Sequence, residues 1–155
     1  MKNAIILCSG GLDSTVLSHY ISKKREYSKI ILLFFDYSQH SLSKERKLAK
    51  QCAKDIKADF MEIKIKELGK ISFSLINKSG KVSKLKKSDL RDTANESKKW
   101  YVPSRNLVFI SYAISIAESL YIRNQIPSDI FLGFKSEGKD PYPDTTQSFV
   151  KFLSQ

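Results

Sequence analysis

The residues best suited to chemistry in this 155-residue chain lie near its start, in the run Ser9-Gly10-Gly11-Leu12-Asp13-Ser14-Thr15. Two adjacent glycines open backbone angles closed to other residues and let the chain pass close to an anion. If a helix begins here, the unpaired N–H groups of its first turn, backed by the helix dipole, favour phosphate. The hydroxyls of Ser9, Ser14 and Thr15 add donors. Asp13 would repel phosphate directly, but it makes sense through a magnesium ion that bridges its carboxylate and the phosphate oxygens. The competing reading is an ordinary strand-to-helix turn with Asp13 or Ser14 as N-cap. The run is not a Walker A loop, because no Gly-Lys-Ser/Thr follows. Nor is it a dinucleotide fingerprint, which places three glycines at other spacings.

Three later stretches carry polar groups of a kind that recognises small molecules. Phe35-Asp36-Tyr37-Ser38-Gln39 follows an apolar run, and ligands bind at strand carboxyl ends in open α/β sheets. Tyr101-Val102-Pro103-Ser104-Arg105-Asn106 offers a guanidinium, suited to bidentate contact with carboxylate or phosphate, and a side-chain amide beside it. Gly133 is followed nine residues on by Tyr142-Pro143-Asp144. Each has a plainer alternative. Arg105 could pair with a carboxylate, Asn106 could cap the helix that follows, and Asp36-Tyr37 could be ordinary strand-end polarity. Tyr142-Pro143-Asp144 could be only a turn. His19 and His40 are expected on solvated surface.

The elements that must position these groups follow from hydrophobic period. Residues 3–8, 30–35, 60–65 and 129–133 read as strands, the first two as continuous apolar runs of the buried parallel kind. Thr15 to Lys24 carries Val16, Leu17, Tyr20 and Ile21 at helical spacing. Ser43 to Ile56 sets charge on one side and Leu48, Cys52, Ala53 and Ile56 on the other. Leu107 to Ile122 is apolar almost all round, which predicts burial on several sides. A short helix is expected near Ser148 to Leu153. The order strand, helix, strand, helix, strand predicts right-handed βαβ units: an α/β fold with an open, mostly parallel sheet and helices on both faces. Residues 1–155 read as one domain, with a mobile excursion at about 68–99 where Ser, Lys, Asn and Gly dominate.

Bulk properties bound the rest. Neither a targeting segment nor a membrane-spanning stretch is expected, and Cys8 and Cys52 make neither a disulfide framework nor a zinc quartet, so a cytoplasmic setting is expected. The formal charge of +11 can attract nucleic acid or smaller polyanions. No run alternates base-stacking aromatics with arginines, so a dedicated nucleic-acid platform is not expected.

Taken in order, the loop and the three stretches resemble the 7-cyano-7-deazaguanine synthase (QueC/ExsB) family of the N-type ATP pyrophosphatases, the PP-loop superfamily. The likeness covers nearly the whole chain, and Val102-Pro103-Ser104-Arg105-Asn106 is its most specific part. The resemblance implies an adenine-nucleotide α-hydrolase-like, Rossmann-like fold and a ligase of queuosine biosynthesis that uses ATP and magnesium. Such an enzyme adenylates 7-carboxy-7-deazaguanine, releases pyrophosphate, and with ammonia and a second ATP forms the nitrile. It implies nucleotide contacts from Cys8, Ser9, Gly10, Gly11, Leu12, Asp13, Ser14, Thr15, Val16, Leu17, Ser18 and Asp36. Substrate contacts would come from Tyr37, Gln39, Arg105, Asn106, Gly133, Tyr142 and Asp144. Asp13, through magnesium, and Arg105 would be catalytic, and a homodimer is implied.

The chain also departs from that family. Members continue into a four-cysteine zinc site, which this sequence lacks. Lys135 and Gly138 stand where the family places Asn and Asp, Thr145-Thr146 stands for Cys-Arg, and Ser38 replaces a glycine. Three readings remain open at this point: the N-terminal portion of a longer synthase; a divergent PP-loop enzyme acting on another acid or on a tRNA base; and a non-catalytic nucleotide-binding module that needs a partner.

Overall fold

The computed structural model describes residues 1–77, 98–134 and 142–154. Its elements run β1 (Lys2–Leu7), α1 (Leu12–Ser22), β2 (Tyr27–Asp36), α2 (Leu42–Asp55), β3 (Asp59–Lys64), α3 (Lys66–Ile71), α4 (Arg105–Asn124), β4 (Ser128–Leu132), a 3-10 turn (Pro143–Thr145) and α5 (Gln147–Leu153). The strands form one sheet in the order β3-β2-β1-β4. Strand β1 runs parallel to both its neighbours, with Ile5 opposite Ile31 on one side and Ile130 on the other. This is the expected α/β architecture with a parallel, Rossmann-like sheet. Every strand reading is met to within a few residues, because continuous apolar runs bounded by polar turns have few other uses.

The chain divides into two compact units. The first comprises Met1–Phe35, Ser41–Ile63 and Leu107–Lys135; the second comprises Asp36–His40, Lys64–Asn106 and Ser136–Gln155. In the first unit, strand alternation sends side chains to both sheet faces. Ala4, Ile6 and Cys8 join Leu32 and Phe34 on one face, where Ile21 of α1 and Ala49, Cys52 and Ala53 of α2 cover them. Phe35, one residue on from Phe34, stacks on Phe109 of α4 with ring centroids 4.0 Å apart and planes 2° from parallel. Helices therefore flank the sheet on both sides. Arg46 of α2 binds Glu62 of β3 through Nε and a terminal nitrogen at 2.7–3.0 Å, a fork that holds the helix to the edge strand.

Three readings of helix faces need correction. In α1 the buried residues are Ser14, Ser18 and Ile21, while Val16 and Tyr20 are exposed. Small hydroxyl residues admit close approach to the sheet, and the Ser18 hydroxyl is satisfied by Ser14 O at 2.7 Å. In α2 it is Ala49, not Leu48, that enters the core beside Cys52 and Ala53. Helix α4 extends over Arg105–Asn124 and buries only the stripe Asn106, Ile110 and Ala113, leaving Ile122 70% exposed. A helix laid on one sheet face offers that face a single stripe, however apolar its remaining circumference.

Residues 78–97 of the excursion expected at about 68–99 lie outside the described residues. Before them, α3 and a bridge between Gln39 and Asn77 bring regular structure into that range. The expected helix near the end is present, and Thr146 Oγ1 caps it by accepting Phe149 N–H at 3.1 Å.

Candidate functional site

The loop between β1 and α1 belongs to the first unit. Cys8 N–H donates to Leu33 O at 3.0 Å, which carries the sheet ladder one residue past the strand. Gly10 then takes φ +76°, and a Cβ there would stand 2.6 Å from Glu45 O of α2. Glycine at this position answers a left-handed turn pressed on a neighbouring helix backbone. Gly11 differs, since a Cβ there would meet only Ser9 Oγ, at 3.3 Å. Gly11 is the N-cap of α1, and no side chain caps the helix, so neither Asp13 nor Ser14 fills that role. Ser14 Oγ and Thr15 N–H both turn back to Gly11 O, at 3.1 and 3.0 Å. The N–H groups of Leu12, Asp13 and Ser14 have no hydrogen-bond partner among the described residues. Gly11 N–H reaches Ser9 Oγ at 3.3 Å, a long contact to an exposed hydroxyl.

Gly133, just past β4, sits against this same turn: a Cβ on it would lie 3.2 Å from Ser14 N. Of the residues expected to touch nucleotide, Ser9, Gly11, Leu12, Asp13 and Val16 are exposed, and Gly10 and Thr15 are half-buried. Cys8 and Ser18 are buried and Leu17 packs against the core. Burial pushes the Cys52 thiol up to about 11, with Cys8 beside it adding to the rise. Both cysteines are thus core thiols.

The remaining expected residues belong to the second unit. Tyr37 and Arg105 meet there. Arg105 donates from a terminal nitrogen to Tyr37 Oη at 3.2 Å, and its guanidinium carbon lies 5.6 Å from the centre of the same ring. The buried Nε of Arg105 has no hydrogen-bond partner among the described residues. Asn106 and Asp144 also pair. Asp144 Oδ2 accepts Asn106 N–H at 2.9 Å, and Asn106 Nδ2 donates to Asp144 O at 3.2 Å. The carboxylate therefore serves the start of α4, a position the helix dipole favours for negative charge, while its Oδ1 is buried with no partner among the described residues. Tyr142 stacks on Tyr101 with centroids 5.1 Å apart. Asp36 Oδ1 accepts Ser38 N–H at 3.2 Å. Gln39 is 1% exposed, and its Oε1 accepts Tyr37 N–H at 3.1 Å.

Two residues of this network escaped the sequence reading. Asn77, fully buried, donates Nδ2 to Tyr37 O at 2.7 Å. Gly69 sits so tightly that a Cβ would collide with Tyr37 O. Nothing in the local sequence signals either one. A lone Asn among polar residues and a lone Gly in a short helix acquire meaning only through a contact more than 30 residues away.

A family model described as "Queuosine biosynthesis protein QueC" matches residues 3–155. Curated relatives agree. A 7-cyano-7-deazaguanine synthase from Pyrococcus horikoshii is 34% identical over 161 residues, covering 100% of this chain and 64% of the relative. One from Campylobacter jejuni is 36% identical over 154 residues, covering 97% and 63%. One from Methanoculleus marisnigri is 32% identical over 155 residues, covering 97% and 64%. The chain spans a little under two thirds of the length of these relatives. It belongs to the QueC family.

Proposed function

We propose, with that membership as the premise, that the chain performs the ATP-dependent activation step of 7-cyano-7-deazaguanine synthesis. The carboxylate oxygen of 7-carboxy-7-deazaguanine attacks the α-phosphorus of ATP, and pyrophosphate leaves. Ammonia then displaces AMP to give the amide. A second ATP adenylates the amide oxygen with release of pyrophosphate, and AMP leaves with that oxygen as the amide nitrogen loses its protons to give the nitrile. The observation that carries this reading is the uncapped start of α1: three amides without partners among the described residues, beside a glycine where a Cβ would meet only the exposed Ser9 hydroxyl. Such a turn stabilises negative charge that builds on a departing pyrophosphate.

Each residue then has a task. The amides of Leu12, Asp13 and Ser14 bind phosphate oxygens, and the Ser9 hydroxyl turns from Gly11 N–H to the ligand. The exposed Asp13 carboxylate fits a magnesium ion shared with phosphate, and that ion, when bound, neutralises charge on the triphosphate. Arg105, fixed by Tyr37, meets the carboxylate of the acid or a phosphate of ATP, and its Nε–H, without a partner among the described residues, supplies one of two parallel donors. Asp144 Oδ1 accepts from a ring N–H of the acid.

The test is ATP–pyrophosphate exchange with and without 7-carboxy-7-deazaguanine. Exchange that depends on the added acid is expected, and Asp13→Asn should reduce it at least 100-fold, on the order of 3 kcal/mol of transition-state stabilisation. Exchange that ignores the acid sinks the substrate assignment, and unchanged exchange in Asp13→Asn removes Asp13 from the mechanism. A second reading, activation of a different acid, is favoured by one observation: Asn106 commits its backbone N–H and one side-chain N–H to Asp144, so its side-chain amide is only partly free for a deazaguanine. Exchange driven by another carboxylate, or by RNA, would select it.

A further inference from the structure

We propose that Asn77 is a positioning residue for Arg105, acting through the peptide of Tyr37. The proposal rests on the reading that Arg105 meets an anionic group of the substrate. Tyr37 is gripped on both sides of its own backbone: Gln39 Oε1 accepts its N–H at 3.1 Å, and Asn77 Nδ2 donates to its C=O at 2.7 Å. The two clamping residues also face each other in an antiparallel bridge, extended by His40 N–H to Ile76 O at 2.8 Å. Ser38 follows in the left-handed region at φ +63°. That conformation is costly for a residue with a side chain and persists only where its surroundings hold it. Gly69 fills the space beside the Tyr37 carbonyl so closely that no side chain could stand there.

The phenol of Tyr37, aimed by this clamp, then holds Arg105 by edge and by face. A guanidinium recognises a carboxylate bidentately only when its plane is fixed. Asn77 is fully buried, and a buried side-chain amide spent on one carbonyl is costly to lose, because the carbonyl it served is left unpaired. Its reach runs Asn77 to the Tyr37 peptide, to the Tyr37 ring, to the Arg105 plane.

Two readouts on the full chain test this. In 15N-labelled protein the Arg105 Nε–H signal is identified by its disappearance in Arg105→Lys. In Asn77→Ser and Asn77→Asp, each with a dispersed amide spectrum, that signal should shift and exchange with water at least tenfold faster. Ile21→Val, which trims the core of the first unit, should leave it unmoved. In acid-dependent pyrophosphate exchange, Asn77→Ser should raise the KM for the acid about tenfold with kcat within about twofold, the pattern of lost ground-state alignment. An unmoved Arg105 signal in a folded Asn77 variant overturns the proposal. So does failure of both Asn77 variants to fold, since the residue is then structural. If instead the signal moves while Arg105→Lys leaves exchange intact, the positioning stands and the substrate role of Arg105 falls.

Discussion

Gly10 and Gly11 look alike in the sequence, where both suit a phosphate loop, yet their surroundings separate them. Gly10 needs positive φ and the absence of a side chain against the α2 backbone; a side chain at Gly11 would meet only the Ser9 hydroxyl, which can turn aside. Gly10→Ala should therefore cost about 2–3 kcal/mol of stability from strain and overlap together. Gly11→Ala should cost under about 1 kcal/mol while weakening nucleotide binding at least tenfold through obstruction of the amides. Urea denaturation paired with nucleotide titration measures both; equal stability losses would mean that the two glycines share one role. The turn itself was legible because two glycines between an apolar run and a helical pattern leave few other local structures. The clamp around Tyr37 was not, because the side chains of Gln39 and Asn77 act on a backbone that no pattern marks.

Helices were legible in existence and less so in orientation. Helix α4 is legible as a helix, but its apolar circumference predicts burial on several sides and the sheet face takes only one stripe. The same fault rotated α2 by one residue, from Leu48 to Ala49, and put Ser14 and Ser18 of α1 inward where Val16 and Tyr20 were expected. Hydrophobic counting misses small residues that bury well because they allow close packing. The real anchor of α4 is Phe109 on Phe35. Phe109→Ala should lose about 3 kcal/mol, whereas Ile122→Glu on the exposed side should stay within about 0.5 kcal/mol. Thermal unfolding of the two variants distinguishes them, and a large loss in Ile122→Glu would show that face to be covered in solution.

At the scale of the whole molecule, the formal charge of +11 repels itself at low salt and attracts polyanions of many kinds. Stabilisation by a nucleotide must therefore be told apart from general screening. Magnesium–ATP at about 100 times its dissociation constant should add about 2.7 kcal/mol, seen as a rise in Tm that survives 0.3 M salt. Tripolyphosphate without adenosine should lose most of its smaller effect there. A rise that disappears equally for both would leave only screening. The sheet order has a separate consequence, for how the chain is made. Strand β1 sits between β2 and β4, with Asn3 beside Ser128. On a ribosome, β2 emerges soon after β1, but the other edge of β1 waits about 120 residues for its neighbour, and a long-range parallel pairing closes slowly. Throughout that interval Ala4, Ile5 and Ile6 present an apolar, unpaired border. Truncation before residue 128, which removes β4, should therefore send the chain into inclusion bodies.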